Sequence, residues 1–362
     1  MKLEFNLDVF TAKSPPMLGL DIGTTSVKFV EISSIGKDQY RIENYVIESL
    51  PKDAIKEGDV SNADEVVEVL QTAWKRMGSR VKNVVMALPA AAVITKKVLL
   101  PANLAGVELE TQVESEANQV IPFSLDEVNL DFQVLGPSPG SPSDVEVLIA
   151  AARKEKVEDR VMLAEAAGLK ALVMDVESYA TLTAYECMAG LLPNGGAGQT
   201  VAICDIGANS IHVNVLSDNE SVYLREHGFG GGQLNYEISR RYGMTIEEAE
   251  TAKRKGTLPE SYEIEVLRPY SETLAMEIGR ALQLFTSSTQ YHKVDHVLLA
   301  GGGAIIPGLE EIVSARVNAP AIIANPFSSM SVGTKVRPQQ LANDAPALFV
   351  AAGLAMRRFD QQ

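Results

Sequence analysis

Two segments, about half a chain apart, share one pattern of apolar and polar positions. LGLDIGTTSVKFVEIS occupies residues 18–33, and AICDIGANSIHVNVLS occupies residues 202–217, at a constant offset of 184 residues. In each copy an apolar strand runs into a DIG turn with small polar residues, and a second strand rich in β-branched residues follows. The repeat predicts two related halves, each of which opens with a β-hairpin.

The segments between the hairpins predict helices that alternate with strands. Residues 62–77 have apolar positions at helical spacing, with Asn62 and Glu65 spaced as an N-terminal cap and Gly78 at the end. The other predicted elements are strands over 83–88 and 296–300, an acidic helix near 108–119, and helices over 233–242, 245–255, 271–290 and from Pro307 to about Arg316. This order predicts an α/β fold of two related domains, each with a central mixed sheet flanked by helices.

Glycine and proline mark the division between the halves. The segment LPNGGAGQ, residues 192–199, cannot form regular structure and is a candidate hinge. The expected organisation is a loosely held leader over 1–16, a first domain over 17–195 with an inserted subdomain at about 93–172, a second domain over 196–340, and a C-terminal helix over 341–362 that returns to the first domain.

Composition excludes several classes of protein. The chain has 362 residues, 46% hydrophobic and 22% charged, which suits a globular protein of roughly two domains. A net charge of −15 disfavours general binding to nucleic acid or to an anionic membrane surface. The only cysteines, Cys187 and Cys204, fit a reducing compartment, and the apolar runs fall short of the roughly 18 to 20 residues that a spanning helix needs. We therefore expect a cytoplasmic protein without direct membrane insertion.

The two DIG turns carry groups that suit phosphate. Glycine permits a tight turn, and successive backbone N–H groups and hydroxyls can converge on an anion, which a lysine on the next strand can also reach. The candidate residues are Gly23, Thr24, Thr25, Ser26 and Lys28 in the first turn, and Gly207, Ala208 and Asn209 in the second.

The aspartates of the two turns suit a metal ion. Asp21 and Asp205 each stand at the end of a buried strand, where a carboxylate is costly unless it binds a cation or its hydration shell. Two such hairpins that face each other across a hinge would hold a polyphosphate and one hydrated Mg²⁺. The alternative is a structural hairpin with a capping aspartate.

A third glycine site follows the apolar strand VLLA. Gly301, Gly302 and Gly303 lack side chains, so a flat ring or a sugar could lie against their backbone, and the following helix start adds partial positive charge. A tight turn between a strand and a helix is the alternative.

These three signals, in this order, resemble the actin-like ATPase superfamily over about residues 17–357. The resemblance implies that the two turns contact phosphates and that GGG contacts adenosine. It also implies that Gly230 and Gly231, in GFGGGQ, close near the terminal phosphates, and that Glu250 and Lys253, in EAETAKRKG, contact the ribose. The alternatives are a plain loop for the glycines and a solvated helix face for the charged pair.

Within that superfamily the chain resembles the PilM family of type IV pilus assembly proteins. AVITKKVLLP, ESEANQVIPFSLDEVNLDFQVLG, AARKEKVEDRVMLAEAAGL and MDVESYA carry this likeness through the inserted segment. The resemblance implies an FtsA-type inserted subdomain and an ATP-binding scaffold with Mg²⁺ in its interdomain cleft. It further implies that the protein binds the cytoplasmic N-terminal peptide of PilN and so lies at the inner face of the inner membrane. Contacts with other pilus components, and self-association, stay open.

Hydrolysis would need a group that orients water near the terminal phosphate. Asp175 and Glu177 in VMDVESYA stand where superfamily members place such a group, although either could cap the helix that follows. We expect a slow or partner-dependent ATPase at most.

Three other classes of protein would also fit parts of these motifs. A sugar kinase has the same hairpins and hinge, an FtsA-like protein would be anchored to lipid and form filaments, and a degenerate module would bind no nucleotide. The chain ends at RRFDQQ without the amphipathic helix usual in FtsA, which favours the PilM reading. His292 and His296 have i, i+4 spacing, but the expected end of a helix between them favours structural roles.

Overall fold

Both repeats fold as the antiparallel hairpins that their sequences predict. The computed structural model describes residues 15–56, 58–138 and 140–360, so most of the expected leader, residues 1–16, lies outside the described residues. In the first half the elements are β1 (Leu18–Ile22), β2 (Ser26–Gly36), β3 (Gln39–Ser49), β4 (Ile55–Lys56), β5 (Asp59–Val60), α1 (Ala63–Met77), β6 (Asn83–Leu88), β7 (Val93–Pro101), α2 (Val107–Val120), β8 (Val128–Ser138), β9 (Ser141–Arg153), α3 (Lys154–Ala166), β10 (Lys170–Val176) and α4 (Glu177–Glu186).

The second half begins after a short segment of 3₁₀ turns. Its elements are β11 (Thr200–Ile206), β12 (Ile211–Ser217), β13 (Glu220–His227), α5 (Gly232–Tyr242), α6 (Ile246–Lys255), α7 (Arg268–Ser288), β14 (His296–Ala300), α8 (Leu309–Val317), β15 (Ala321–Ile323), β16 (Ser331–Val332), α9 (Pro338–Asp344) and α10 (Phe349–Met356).

Two mixed sheets of similar construction form the centres of the two halves. The first has the order β10-β6-β1-β2-β3-β16 and the second has the order β13-β12-β11-β14-β15. In each sheet the hairpin strand pairs antiparallel with its partner and parallel with a later strand on its other side. Because parallel strands of both sheets are flanked by helices, the predicted α/β fold of two related domains is confirmed.

The inserted subdomain has a separate sheet. Its three strands follow the order β7-β9-β8, and α2 packs against them through Val113 and Ala117. This sheet ends at Arg153, and Leu163 and Ala164 of the next helix, α3, pack into the core of the first domain. We therefore propose that the insertion ends near residue 153, earlier than the sequence suggested.

The C-terminal segment returns to the first domain through a helix of small and apolar residues. Every residue of α10 is buried, and the helix packs against β1 and α4. A Cβ atom on Gly353 would overlap the carbonyl group of Ala180, and one on Gly19 would overlap the carbonyl oxygen of Ala351. Glycine at both positions lets the backbones approach closely.

Capping residues mark both ends of α1. The Asn62 side chain accepts the N–H of Glu65 at 3.4 Å, and Gly78 ends α1 in the left-handed conformation with φ 63°. Helix α8 starts at Leu309, two residues after the predicted Pro307, because Pro307 and Gly308 form a turn before it. None of the described helices is long and apolar enough to cross a membrane.

Candidate functional site

The two hairpin turns close with the same hydrogen bond at the same repeat position. The N–H of Gly23 donates to the carbonyl of Ser26 at 3.0 Å, and the N–H of Gly207 donates to the carbonyl of Ser210 at 2.9 Å. These two glycine N–H groups therefore shape the turns and are not available to a ligand. The intervening residues, Thr24, Thr25, Ala208 and Asn209, carry the donors that remain for an anion.

The turns of the two domains face a common site. Asp21 lies opposite Lys28 in the first hairpin, and the Lys28 ammonium is 2.7 Å from the Asp21 carboxylate. Burial opposes the charge on Lys28 and lowers its pKa. The negative charges nearby outweigh this effect, so the pKa of Lys28 lies above its ordinary value; they belong to Asp21 and, at longer range, to Asp205 and Glu177. Because Asp205 belongs to the second domain, this interaction requires that the two repeated aspartates lie near each other.

The repeated aspartates have the donor chemistry of a magnesium site. Burial raises the pKa of Asp205, and His212 and Lys28 oppose that rise, while Asp21 adds to it. Two carboxylates at the ends of buried strands suit Mg²⁺, which takes one or two carboxylates and completes its shell with water and phosphate oxygens. Within the described ranges no cluster of three or more histidine, cysteine, aspartate or glutamate side chains could hold a metal by itself.

The glycine turn after β13 packs directly on the second hairpin turn. The N–H of Gly231 donates to the carbonyl of Gly207 at 2.9 Å, and the N–H of Gly232 donates to that of Ala208 at 2.7 Å. A Cβ atom on Gly230 would lie 2.6 Å from the Ala208 carbonyl oxygen, so a side chain there would break this contact. The structure thus brings Gly230 and Gly231 to the second turn, while their approach to the terminal phosphates stays a prediction.

The three glycines after β14 lack side chains for different reasons. Gly301 has φ 85°, and a Cβ atom there would overlap the Asp205 carboxylate. One on Gly303 would overlap the side chain of Ile206, whereas one on Gly302 would meet no atom within 4 Å. Protein packing therefore requires two of the glycines. The exposed Gly302 follows the glycine that contacts Asp205, and the open space at its Cβ position is where a ring or a sugar could lie.

Glu177 lies at the centre of the cleft. It lines a cavity of about 20 Å³ together with Asp205 and His212 of the second domain, and such a volume has room for about one water molecule. Burial raises the pKa of Glu177 to about 8, and Asp21 and Asp205 contribute to the rise while Arg160 and Lys28 oppose it. A carboxyl group in this state can exchange a proton near neutral pH.

Asp175 lies elsewhere and has a different set of neighbours. Its carboxylate accepts a hydrogen bond from the N–H of Val176 at 2.8 Å. It also lies 2.9 Å from the Arg357 guanidinium, and these two groups form an ion pair without a hydrogen bond between them. Burial raises the pKa of Asp175, and Arg357 opposes the rise. The geometry therefore does not support the expectation that Asp175 orients water, because its carboxylate forms an ion pair with Arg357 of the C-terminal segment.

Glu250 and Lys253 form a closed network on α6. Their side chains are 2.7 Å apart, and Asn235 bridges them, because its amide donates to Glu250 and accepts from Lys253, each at 2.7 Å. Arg254 donates to Glu250 at 2.8 Å and also to Ser49 of the first domain. These contacts place the predicted ribose-binding pair at the mouth of the cleft, although its groups already have protein partners.

The cleft is narrow in this structure. Besides the Arg254 contact, Lys52 of the first domain lies 3.6 Å from Glu247 of the second. A larger depression of about 260 Å³ lies between the end of β3 and α1, but none of the predicted site residues lines it. The small cavity is the candidate site because Asp205 of the second domain and Glu177 of the first meet there.

Two residues near the site were not predicted from the sequence. His212 lies opposite Asp205 in the second hairpin, at the position that Lys28 occupies in the first, so the repeat offset alone could have identified it. Arg160 is 4% exposed and reaches the carbonyl oxygen of Ile22 from a helix 138 residues later in the chain, so no local pattern could have shown it.

Comparison with known proteins agrees with this fold. The family described as type IV pilus assembly protein PilM matches residues 19–359. A chain in the structure of the PilM-PilN type IV pilus biogenesis complex is 27% identical, with a TM-score of 0.78, and the match covers 96% of this chain and 100% of that one.

A more distant structure supports the fold alone. The ethanolamine utilization protein EutJ from Carboxydothermus hydrogenoformans is 15% identical, with a TM-score of 0.54, over 94% of this chain and 89% of that one. The actin-like ATPase fold and the family resemblance predicted from the sequence are thus confirmed. The chain belongs to the PilM family of type IV pilus assembly proteins.

Proposed function

We propose that the protein binds Mg-ATP between its two domains and acts as a cytoplasmic scaffold in type IV pilus assembly, where it binds the N-terminal cytoplasmic peptide of PilN. The observation that supports the nucleotide most directly is the cavity that Asp205, at the second repeated turn, lines together with Glu177 of the first domain. A polyphosphate is the ligand whose charge and length match two such turns.

Each part of the nucleotide has candidate groups in the described residues. Thr24, Thr25 and Asn209 offer N–H groups and polar side chains to the phosphates, and Lys28 offers a positive charge. Asp21 and Asp205 would hold Mg²⁺, which neutralises phosphate charge when it is bound. In this arrangement the Gly302 surface takes the adenine or the ribose.

Nucleotide entry requires the domains to separate. The cavity at Glu177 is far smaller than the roughly 300 Å³ or more of a typical small-molecule site. Exposed contacts such as the one between Lys52 and Glu247 are weak and can open at little cost. The hinge segment after α4 is where we expect the rotation to occur.

In the part of the chain that the structure describes, no further strand pairs with the inserted sheet, so both of its edges can accept an extended peptide. Its outer strands are β7 and β8, which carry the exposed apolar residues Leu99, at 56%, and Val134 and Leu135, at 43% each. An extended peptide can add a strand to such an edge and place side chains against apolar neighbours. The similarity to a chain of the PilM-PilN complex supports PilN as the partner.

Calorimetric titration with a synthetic N-terminal PilN peptide, with and without Mg-ATP, tests both ligands. We expect Leu99→Lys or Leu135→Lys to weaken peptide binding at least tenfold. Leu191→Lys, which changes a residue 61% exposed outside the insertion, is the matched control and should bind normally. If a scrambled peptide binds as tightly as the native one, or if both edge variants bind normally, the assignment of the peptide to this sheet is wrong.

Hydrolysis, where it occurs, would depend on Glu177. Its carboxyl group lines the cavity between the domains, so it is placed to orient water or accept a proton. We expect turnover to be slow or to require the partner, and a steady rate of tens per second for the purified protein would contradict this view.

A further inference from the structure

Arg160 is a charged residue in the interior of the first domain. Only 4% of it is exposed, and it lies on the face of α3 that also buries Leu163 and Ala164. A buried guanidinium group is costly unless hydrogen bonds and opposite charges compensate for its lost hydration. The hydrogen-bond acceptors and the opposite charges around Arg160 therefore indicate its role.

Two carbonyl oxygens, rather than a carboxylate, accept the hydrogen bonds of Arg160. One guanidinium nitrogen donates to the Gly58 carbonyl at 2.9 Å, and the other donates to the Ile22 carbonyl at 3.4 Å. Ile22 is the last residue of β1, directly before the first hairpin turn. The guanidinium group thus lies behind the Gly23–Ser26 turn and connects it to the β4–β5 turn.

Burial lowers the pKa of Arg160, and four nearby carboxylates oppose this change. The two that oppose it most, Glu177 and Asp21, belong to the cleft, and Asp59 and Asp159 follow. An arginine stays protonated in proteins at any physiological pH, so this charge is permanent. A permanent charge behind a phosphate-binding turn favours anions in front of the turn, because screening by salt is weak in the interior.

We propose that Arg160 is a positioning residue for the phosphates of the bound nucleotide. It fixes the Ile22 carbonyl at the base of the first turn and supplies a buried positive charge behind the turn. This inference rests on the proposed nucleotide site. It predicts that the contribution of Arg160 to affinity increases with the number of phosphates on the ligand.

The test uses Arg160→Gln in the full chain and compares ATP, ADP and adenosine by calorimetry in the presence of Mg²⁺. We expect at least a tenfold loss of affinity for ATP, a smaller loss for ADP, and adenosine affinity within twofold of the unaltered protein. Arg153→Gln is the matched control, because Arg153 is exposed at the start of the same helix and its guanidinium lies 4.1 Å from the Phe123 ring centroid, away from the cleft. It should bind all three ligands normally.

A second variant covers the case in which Arg160→Gln does not fold. Arg160→Lys keeps the charge, but a single ammonium group cannot reproduce the planar fork that bonds two separate carbonyls. We expect at least a threefold loss for ATP and none for adenosine. ATP affinity within twofold in folded Arg160→Gln, equal losses for ATP and adenosine, or normal ATP binding by Arg160→Lys would overturn the proposal. If the unaltered protein and Arg153→Gln both fail to bind ATP, the proposed nucleotide site itself is wrong.

Discussion

A bulky residue at Gly302 should weaken nucleotide binding strongly and leave the fold intact. A Cβ atom there meets no protein atom within 4 Å, the residue is exposed, and its backbone is not left-handed, so Gly302→Leu should change the free energy of unfolding by about 0.5 kcal/mol or less. A leucine side chain would fill the surface on which the base or the sugar lies. The loss of about 3 kcal/mol of apolar contact corresponds to roughly a hundredfold weaker ATP binding.

Calorimetry with Mg-ATP and urea denaturation measure the two effects separately. Gly190→Leu is the matched control, because Gly190 is also exposed, lies in a 3₁₀ turn and has open space at its Cβ position. This control should keep both its stability and its ATP affinity. Normal ATP binding by folded Gly302→Leu would refute the assignment of this surface to the nucleotide.

Three further predictions concern a carboxyl group, a metal ligand and the packing of α10. The pKa of Glu177 is about 8 in the folded protein and 4.5 in its ordinary state. Between pH 4.5 and pH 8 the folded protein therefore keeps a proton on Glu177 that the unfolded chain has lost, and its stability falls as the pH rises through this range. Glu177→Gln should therefore be more stable than the unaltered protein at pH 8, by about 2 kcal/mol or more, and this gain should shrink towards pH 5. Urea denaturation at both pH values measures the gain, and an equal gain at pH 5 and pH 8 would refute the reasoning. Asp205→Asn should abolish the increase in ATP affinity that Mg²⁺ confers, whereas Asp38→Asn, in an exposed turn, should retain it; equal magnesium dependence in titrations of the two variants would contradict the metal assignment. Gly353→Ala should lower the unfolding free energy by about 1 to 3 kcal/mol because its methyl group overlaps the Ala180 carbonyl. A melting temperature within 1 °C of the unaltered protein would contradict this prediction.

The parts of the fold that depend on short-range patterns were predictable from the sequence. The hairpins follow from strand alternation around a DIG turn, and α1 is capped by Asn62 and ended by Gly78, as their spacing predicts. The repeat also predicted that the two turns have equivalent positions in the two domains, because equivalent strands occupy equivalent places in two similar sheets.

The parts that depend on distant contacts were not predictable. Asp175 stands two residues from Glu177 and looked equivalent to it, but its partner, Arg357, lies in the C-terminal segment. The proposed earlier end of the insertion depends on α3, whose buried face contains a charged residue, Arg160, so its sequence pattern does not resemble that of a core helix. That same residue escaped notice because its carbonyl partners belong to two other segments of the chain.

Hydrogen exchange with and without Mg-ATP tests the central claim most directly. If one nucleotide bridges the two domains, amide protection should rise together in residues 23–26, 207–210 and 301–303, and Asp205→Asn should reduce the effect in all three segments. Protection confined to one segment, or no change in any of them at saturating Mg-ATP, would contradict the account.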